Sequence, residues 1–175
     1  MGDVAMIVPV LRVLSETYPE VQLTILSRAF FKPFFNDFSN VVFLEADVNH
    51  NHKGFMGVLK LAEEANTLGI NVVADLHNVI RSKIITRYLR ILGKKTAALN
   101  KGRKEKKSLT RAKNKYFKQL KTTHQRYADV FGTLGFPIEL TNFTPLPKKE
   151  YNKNILSLVG KKKEKYYWYG SFCRL

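Results

Sequence analysis

The sequence has little cysteine, no long apolar run and few acidic side chains. Its single cysteine, Cys173, excludes a disulfide within the chain and favours a reducing compartment. No apolar run reaches the roughly 18–20 residues that a membrane-spanning helix requires. The apolar start carries Asp3 and Pro9 and has no basic region before it, which fits a signal peptide poorly. We therefore expect a cytoplasmic protein that contacts a membrane only at the surface.

The shortage of acidic residues makes the chain strongly basic. It has 30 Lys and Arg residues against 14 Asp and Glu residues, for a formal net charge of +16. Such a surplus attracts anionic partners, which include nucleic acids, phosphorylated glycolipids and acidic membrane surfaces. The charge alone does not choose among them. Hydrophobic residues make up 45% of the 175 positions, which excludes a disordered chain and provides for one domain with a core.

The apolar pattern alternates between helices and strands as far as Gly135. A helix is predicted over Val4–Tyr18, with Pro9 either kinking it or marking its first turn. Apolar residues at helical spacing predict further helices at residues 55–68, 79–92 and 122–134. Short strands are predicted at residues 21–26, 41–44, 71–75 and 95–99. Strands separated by helices require right-handed crossovers and a mostly parallel sheet, so we predict an α/β fold.

Gly2 and Asp3 stand immediately before the first predicted helix. Glycine lets the backbone approach a ligand closely, and the carboxylate of Asp3 can accept hydrogen bonds from free N–H groups at the helix start. A helix cap is the simpler interpretation. The alternative is a catalytic carboxylate, which needs a substrate hydroxyl within hydrogen-bonding distance.

A second polar segment, residues 75–83, follows a predicted buried strand and opens a helix. Open α/β sheets bind their ligands at the carboxyl ends of the strands. The segment offers side chains that suit an anionic sugar, namely Asp75, His77, Asn78, Arg81 and Lys83. In the competing interpretation Asp75 caps the helix, while Arg81 and Lys83 are solvated.

The densest positive charge runs from Lys101 to Lys121, where Glu105 is the only acidic residue. Such a stretch can neutralise several phosphates, so a nucleic-acid-binding module is one interpretation. Aromatic residues that would stack on bases occur only at Tyr116 and Phe117. A basic loop facing a phosphorylated lipid or the anionic inner leaflet is a second interpretation, and a solvated loop is a third.

The histidines His50 and His52 suggest a metal site. With no cysteine or third histidine nearby, and only Asp47 as an oxygen ligand, a solvated loop is the better interpretation. We therefore predict no metal site.

In combination, these segments resemble glycosyltransferase family nine, the ADP-heptose:lipopolysaccharide heptosyltransferases. Residues 1–9 resemble the family's opening loop and first helix, in which Gly-Asp is followed by an apolar helix with a proline. Tyr18-Pro19 and the strand that ends at Arg28 resemble the next family segment. Residues 75–82 resemble a family stretch with Arg81 in its basic position, and residues 101–106 are also similar. The resemblance covers residues 1–160.

The resemblance implies an inverting, metal-independent transfer of heptose from ADP-heptose to the lipid A–Kdo core of lipopolysaccharide, at the inner face of the inner membrane. It implies a GT-B architecture of two Rossmann-like domains, of which residues 1–160 would be the acceptor-side half. Asp3 would be the general base that removes the proton of the acceptor hydroxyl. The residues implied in acceptor binding are Gly2, His77, Asn78, Arg81, Lys83, Arg103, Lys104 and Lys107.

The two ends of the sequence depart from the family pattern. The family's first strand would precede Gly2, and its donor domain would begin near Tyr166. We therefore expect a truncated N-terminal domain. Residues 161–175 are interpreted as a frameshifted start of the donor domain, after a one-base slip in the codons of the lysine run. The chain alone is expected to be inactive, because the donor site belongs to the other domain.

Overall fold

The computed structural model describes residues 2–142. The chain divides into two units, residues 1–144 and residues 145–175, and the described residues belong to the first. The domain boundary predicted at residue 160, and the tail of residues 161–175 with its lysine run and Cys173, lie outside the described residues.

Helices and strands alternate through the described part of the chain. They are α1 (Gly2–Thr17), β1 (Leu23–Ser27), β2 (Val41–Glu45), α2 (Gly54–Thr67), β3 (Val72–Asp75), α3 (Ile80–Ile91), β4 (Lys95–Ala98), α4 (Arg103–Leu109) and α5 (Thr123–Leu134). Two 3₁₀ helices span Ala29–Phe35 and Leu140–Asn142. All predicted helices and strands are confirmed, with small shifts at their ends. Because α1 continues through Pro9, this residue does not mark the first turn of the helix.

The strands form two separate parallel pairs. β1 pairs with β2, with Leu23 opposite Val41. β3 pairs with β4, with Val72 opposite Lys95. The architecture is therefore mixed α/β with small parallel sheets, which is compatible with a Rossmann-like class. The single sheet that the sequence predicts is divided into two ladders in the described residues.

One face of both ladders packs against α1 and α5. The buried residues of this core come mainly from the two helices and include Val10, Leu11, Leu14, Tyr127, Val130, Phe131 and Leu134. Ile25 of β1 and Ala74 of β3 pack against the same core. Both ladders therefore present this face to one shared layer of helices.

The opposite face packs against α2 and α3. The buried residues of this second core are Ala46, Val58, Leu61, Ala62, Ile85 and Leu89. Leu26 of β1 and Val73 of β3 pack against them. Successive residues of a strand point to opposite faces, so helices cover both sides of the strand layer.

The basic stretch from Lys101 to Lys121 differs from the predicted loop, since it begins with α4. Lysine and arginine are good helix formers, and Glu105 of this helix pairs with Arg126 of α5 at 2.7 Å. Residues 110–122 have no regular secondary structure. No helix in the described part of the chain combines the length and the apolar character needed to cross a membrane.

Candidate functional site

Four of the predicted site residues lie near the carboxyl ends of β3 and β4, namely Asn78, Lys83, Arg103 and Lys104. The strands of each pair run parallel, and α2 connects β2 to β3. Ligands of parallel α/β sheets bind at the carboxyl ends of the strands.

Asp75 is buried at the end of β3 and organises the turn into α3. Its Oδ1 accepts hydrogen bonds from the backbone N–H groups of His77 at 3.1 Å and Asn78 at 2.6 Å. Its Oδ2 accepts one from the hydroxyl of Ser82 at 2.9 Å. Both oxygens are therefore used within the protein, where they hold the turn that precedes the N-cap residue Val79.

Asn78 connects this turn to the end of β4. Its backbone is left-handed, with φ of 46°, a conformation that asparagine tolerates better than most residues. Its side-chain Nδ2 donates to the backbone oxygen of Leu99 at 2.7 Å. The loops after β3 and β4 are therefore held together by the Asn78 side chain, which leaves Asn78 as a positioning residue.

A groove of about 530 Å³ lies between these two loops and the start of α4. It is lined by Asn78 and Lys83 on one side and by residues 98–105 on the other. Its cationic side chains are Lys83, Lys101, Arg103 and Lys104, and none of them forms an ion pair within the described residues. The groove therefore presents positive charge that the protein does not neutralise.

Arg126 of α5 supports the far wall of the groove. This buried side chain donates to the Glu105 carboxylate at 2.7 Å, to the Asn100 carbonyl at 3.2 Å and to the Lys121 carbonyl at 3.3 Å. A Cβ on Gly102 would lie 2.5 Å from Nη2 of Arg126, and the φ of Gly102 is +62°. A side chain at this position would be strained by the positive φ and would displace the Arg126 guanidinium, so glycine favours this packing.

The positive surface continues along α3. A second depression of about 470 Å³ shares Asn78 and Lys83 with the groove and adds Arg87 and Arg90. Arg90 is already engaged, since its Nε donates to the Thr96 hydroxyl at 2.7 Å. The exposed side chain of Ile80 also lines this depression, so the surface beside the groove is partly apolar.

The structure brings together only part of the predicted acceptor-binding set. Asn78, Lys83, Arg103 and Lys104 line the groove. The remaining predicted residues are exposed and do not line it, namely Gly2, Asp3, His77, Arg81 and Lys107.

Asp3 has an electrostatic contact that the sequence does not reveal. The phenol of Tyr127 is buried in the core beneath α1, and this burial raises its pKa above the ordinary value of 10.0. The negative charge of Asp3 raises the pKa of Tyr127 further. Asp3 therefore lies close enough to the start of α5 to act on a buried group there.

Two groove features were missed by the sequence analysis. Lys101 was counted only as part of a basic stretch, and Arg126 was not considered at all. A signal for Arg126 exists, because it precedes Val130 by four residues and so shares the buried face of α5. A charged residue on an apolar helical face usually has an internal partner.

The interpretation of His50 and His52 as a solvated loop is wrong for His52. This ring is buried: its Nδ1 accepts from the Asp47 N–H at 3.0 Å, and its Nε2 contacts the Glu64 carboxylate at 3.1 Å. Within residues 2–142, no group of three His, Cys, Asp or Glu side chains is placed to hold a metal ion.

The fold and groove define a basic α/β domain with an anion-attracting site at the carboxyl ends of its strands. No protein family profile, no curated protein and no solved structure matches the chain. The functional assignment therefore depends on the residues of the site.

Proposed function

We propose that this chain is the acceptor-side domain of an inverting glycosyltransferase of the heptosyltransferase type, and that its groove binds the anionic lipid A–Kdo acceptor. The observation that carries the proposal is the set of four cations without ion-pair partners around the groove. The acceptor carries carboxylates and phosphates, which Arg binds through paired hydrogen bonds and Lys binds as a point charge.

The proposed enzyme has a GT-B architecture with ADP-heptose bound by a second domain. Asp3 would accept the proton of the acceptor hydroxyl as this hydroxyl attacks the anomeric carbon of heptose and ADP leaves. Asp3 is exposed in the first turn of α1, so its carboxylate is accessible to an acceptor hydroxyl. The domain would act at the cytoplasmic face of the inner membrane, where its positive charge meets anionic lipid headgroups.

A nucleic-acid-binding module is the second candidate, and one observation favours it. Tyr116 and Phe117 are exposed, at 62% and 82%, among the lysines of residues 113–118. Exposed aromatic rings beside cations provide stacking sites for single-stranded nucleic acid. This surface does not line the groove, so the two candidates predict different binding residues.

The test is a comparison of two charge-matched triple variants of the full chain. The groove variant carries Lys83→Gln, Arg103→Gln and Lys104→Gln. The control variant carries Lys113→Gln, Lys115→Gln and Lys118→Gln and loses the same charge outside the groove. Binding is measured on nanodiscs that contain Kdo-bearing lipid A, nanodiscs with an anionic phospholipid, and single-stranded DNA.

The proposal predicts that the groove variant binds Kdo-bearing lipid A at least ~10-fold more weakly, since one charged hydrogen bond is worth about 1.5 kcal/mol. The control variant should keep its affinity within about threefold, because exposed charges outside a site contribute little. Equal losses of affinity in both variants would show that binding depends only on the net charge of the chain. If the chain binds DNA more tightly than the nanodiscs, and only the control variant loses this binding, the chain is a nucleic-acid-binding module instead.

A further inference from the structure

Among the described residues that line the groove, Glu105 is the only acidic one. It lies in the first turn of α4, directly after the two cations Arg103 and Lys104. A site that only attracts phosphate gains nothing from a carboxylate, because two negative charges repel each other. The position of Glu105 therefore needs a reason other than the attraction of an anion.

One oxygen of the Glu105 carboxylate holds α4 on the domain. Its Oε2 accepts a hydrogen bond from Nη2 of Arg126 at 2.7 Å, and α4 buries no residue of its own. Arg126 is only 7% exposed, and a buried guanidinium without an anionic partner would be destabilising. The same contact offsets the negative charge of Glu105, since the two ions lie within hydrogen-bonding distance. The pair as a whole is therefore neutral toward an anion in the groove.

The second oxygen of Glu105, Oε1, is available to a ligand. It forms no hydrogen bond within residues 2–142, and the side chain of Glu105 is 48% exposed. An ionised carboxylate only accepts hydrogen bonds, whereas the lysine and arginine side chains of the groove only donate them. Because the contact with Arg126 holds the carboxylate in place, Oε1 is a positioned acceptor beside the four cations.

Two amide side chains add neutral polar groups to the same groove. Asn78 donates through Nδ2 to the carbonyl of Leu99 at 2.7 Å, and Asn100 accepts through Oδ1 from the N–H of Gly102 at 3.0 Å. The other end of each amide has no hydrogen bond in the described part of the chain. A hydroxyl group donates and accepts, so it can pair with these groups, whereas a phosphate oxygen only accepts. The groove therefore offers partners for hydroxyl groups next to its cations.

We propose that Glu105 determines the specificity of the groove, which takes an anion that also carries hydroxyl groups, as a sugar acid does. The four cations bind the carboxylate of this ligand, and Oε1 of Glu105 accepts a hydrogen bond from one of its hydroxyls. A ligand without a hydroxyl donor leaves Oε1 without a partner beside the bound anion, so it binds more weakly. This inference rests on the proposed function, because it concerns the same groove, and it adds the residue that selects the ligand.

The first measurement uses the unmodified full chain and three small anions. They are Kdo as the free monosaccharide, the same sugar acid with its hydroxyls methylated, and inorganic phosphate. Methylation keeps the carboxylate and the ring but removes the hydroxyl donors. We expect Kdo to bind at least ~10-fold more tightly than its methylated form, because a hydrogen bond to a charged group contributes about that much. Binding is followed by NMR at the backbone amides of residues 100–105.

The substitution Glu105→Gln tests the acceptor directly. The amide oxygen can still accept from Arg126, so α4 stays anchored, but the NH₂ group then offers the ligand a donor. The preference for Kdo over its methylated form should fall to about threefold or less. Phosphate should bind roughly threefold more tightly than to the wild type, since the charge of Arg126 is no longer offset.

The matched control is Glu63→Gln, which removes the same charge from an exposed position of α2 outside the groove. It should keep the wild-type preference and bind phosphate within about twofold of the wild type, because salt screens distant exposed charges. A preference for Kdo that is absent from the unmodified chain, or that Glu105→Gln retains, would overturn the inference. Equal losses of affinity for all three anions in Glu105→Gln would also overturn it, since that pattern is expected if Glu105 only anchors α4.

The groove variant with Lys83, Arg103 and Lys104 replaced separates this inference from the proposed function. If that variant binds Kdo as tightly as the wild type, the groove is not the anion site and the proposed function fails. If that variant loses Kdo binding while Glu105→Gln keeps the preference for hydroxyls, only the role of Glu105 is wrong.

Discussion

At the residue scale, the pair of Asp3 and Tyr127 shows how the proposed catalytic edge is coupled to the core. Asp3 is exposed in the first turn of α1, while Tyr127 is only 2% exposed beneath it. Burial opposes ionisation of the phenol, and the nearby carboxylate adds a repulsive charge. The negative charge of Asp3 at the start of α1 therefore raises the pKa of the buried Tyr127 of α5.

This coupling predicts how stability depends on alkaline pH. The pKa of Tyr127 is raised in the folded chain above 10.0, so its stabilisation is complete below that pH and is lost as the pH rises through the folded value. Between pH ~9 and ~11 the wild-type chain should lose up to about 1.4 kcal/mol per pH unit more unfolding free energy than Tyr127→Phe. Urea denaturation at the two pH values measures the difference.

Two further variants control this measurement. Tyr116→Phe removes an exposed phenol and should retain the wild-type pH dependence. Asp3→Asn removes the repulsive charge. Its loss of unfolding free energy over this pH range should lie between the losses of the wild type and of Tyr127→Phe. If Tyr116→Phe and Tyr127→Phe flatten the pH profile equally, burial of Tyr127 is not the cause.

At the scale of elements, most of the fold was predictable because its helices and strands have clear apolar periods. Thr122 stands at the start of the helix predicted over residues 122–134, and its side chain accepts from the Gln125 N–H at 3.1 Å. Gly135, where the predicted apolar pattern stops, follows that helix and has φ of 104°. These signals are local, so neighbouring residues alone reveal them.

The elements and contacts that were missed depend on residues far apart in the chain. α4 is anchored by Glu105 through Arg126, a partner 21 positions away, and its own sequence has no apolar face. His52, in the loop before α2, is buried, and its Nε2 donates to the carboxylate of Glu64 in α2, 12 positions away. The groove likewise joins loops that only the fold brings together. The family resemblance implied one acceptor site for Lys83 and Arg103, but their spacing in the sequence alone did not indicate it.

The contact between α2 and its preceding loop provides an element-scale prediction. Gly57 lies inside α2, and a Cβ there would come 2.3 Å from the carbonyl carbon of His52. Gly57→Ala should therefore destabilise the chain by about 1–3 kcal/mol through overpacking, although alanine is the better helix former. Gly132→Ala in α5 is the matched control, because the nearest atom to its Cβ is 4.0 Å away. Chemical denaturation should show a small stabilisation of that control, and similar effects of both substitutions would contradict the prediction.

At the scale of the whole molecule, the net charge of +16 affects both stability and binding. Like charges destabilise the compact state, and salt screens this repulsion over a distance of about 10 Å at 0.1 M. Simple screening depends on ionic strength and not on which anion is present. A groove that binds phosphate adds a contribution that screening does not give, since a ligand of the folded state alone stabilises it by mass action.

These two contributions can be separated by melting the chain in about 5 mM phosphate and in chloride of equal ionic strength. We expect phosphate to raise the melting temperature of the wild type by roughly 2–5 °C more than chloride, as expected for binding worth about 1 kcal/mol. The groove variant with Lys83, Arg103 and Lys104 replaced should lose this difference, and the control variant at positions 113, 115 and 118 should keep it. Both variants lose the same charge. If the difference between the melting temperatures in phosphate and in chloride disappears in both, phosphate binds the general positive surface, and the groove does not bind it selectively.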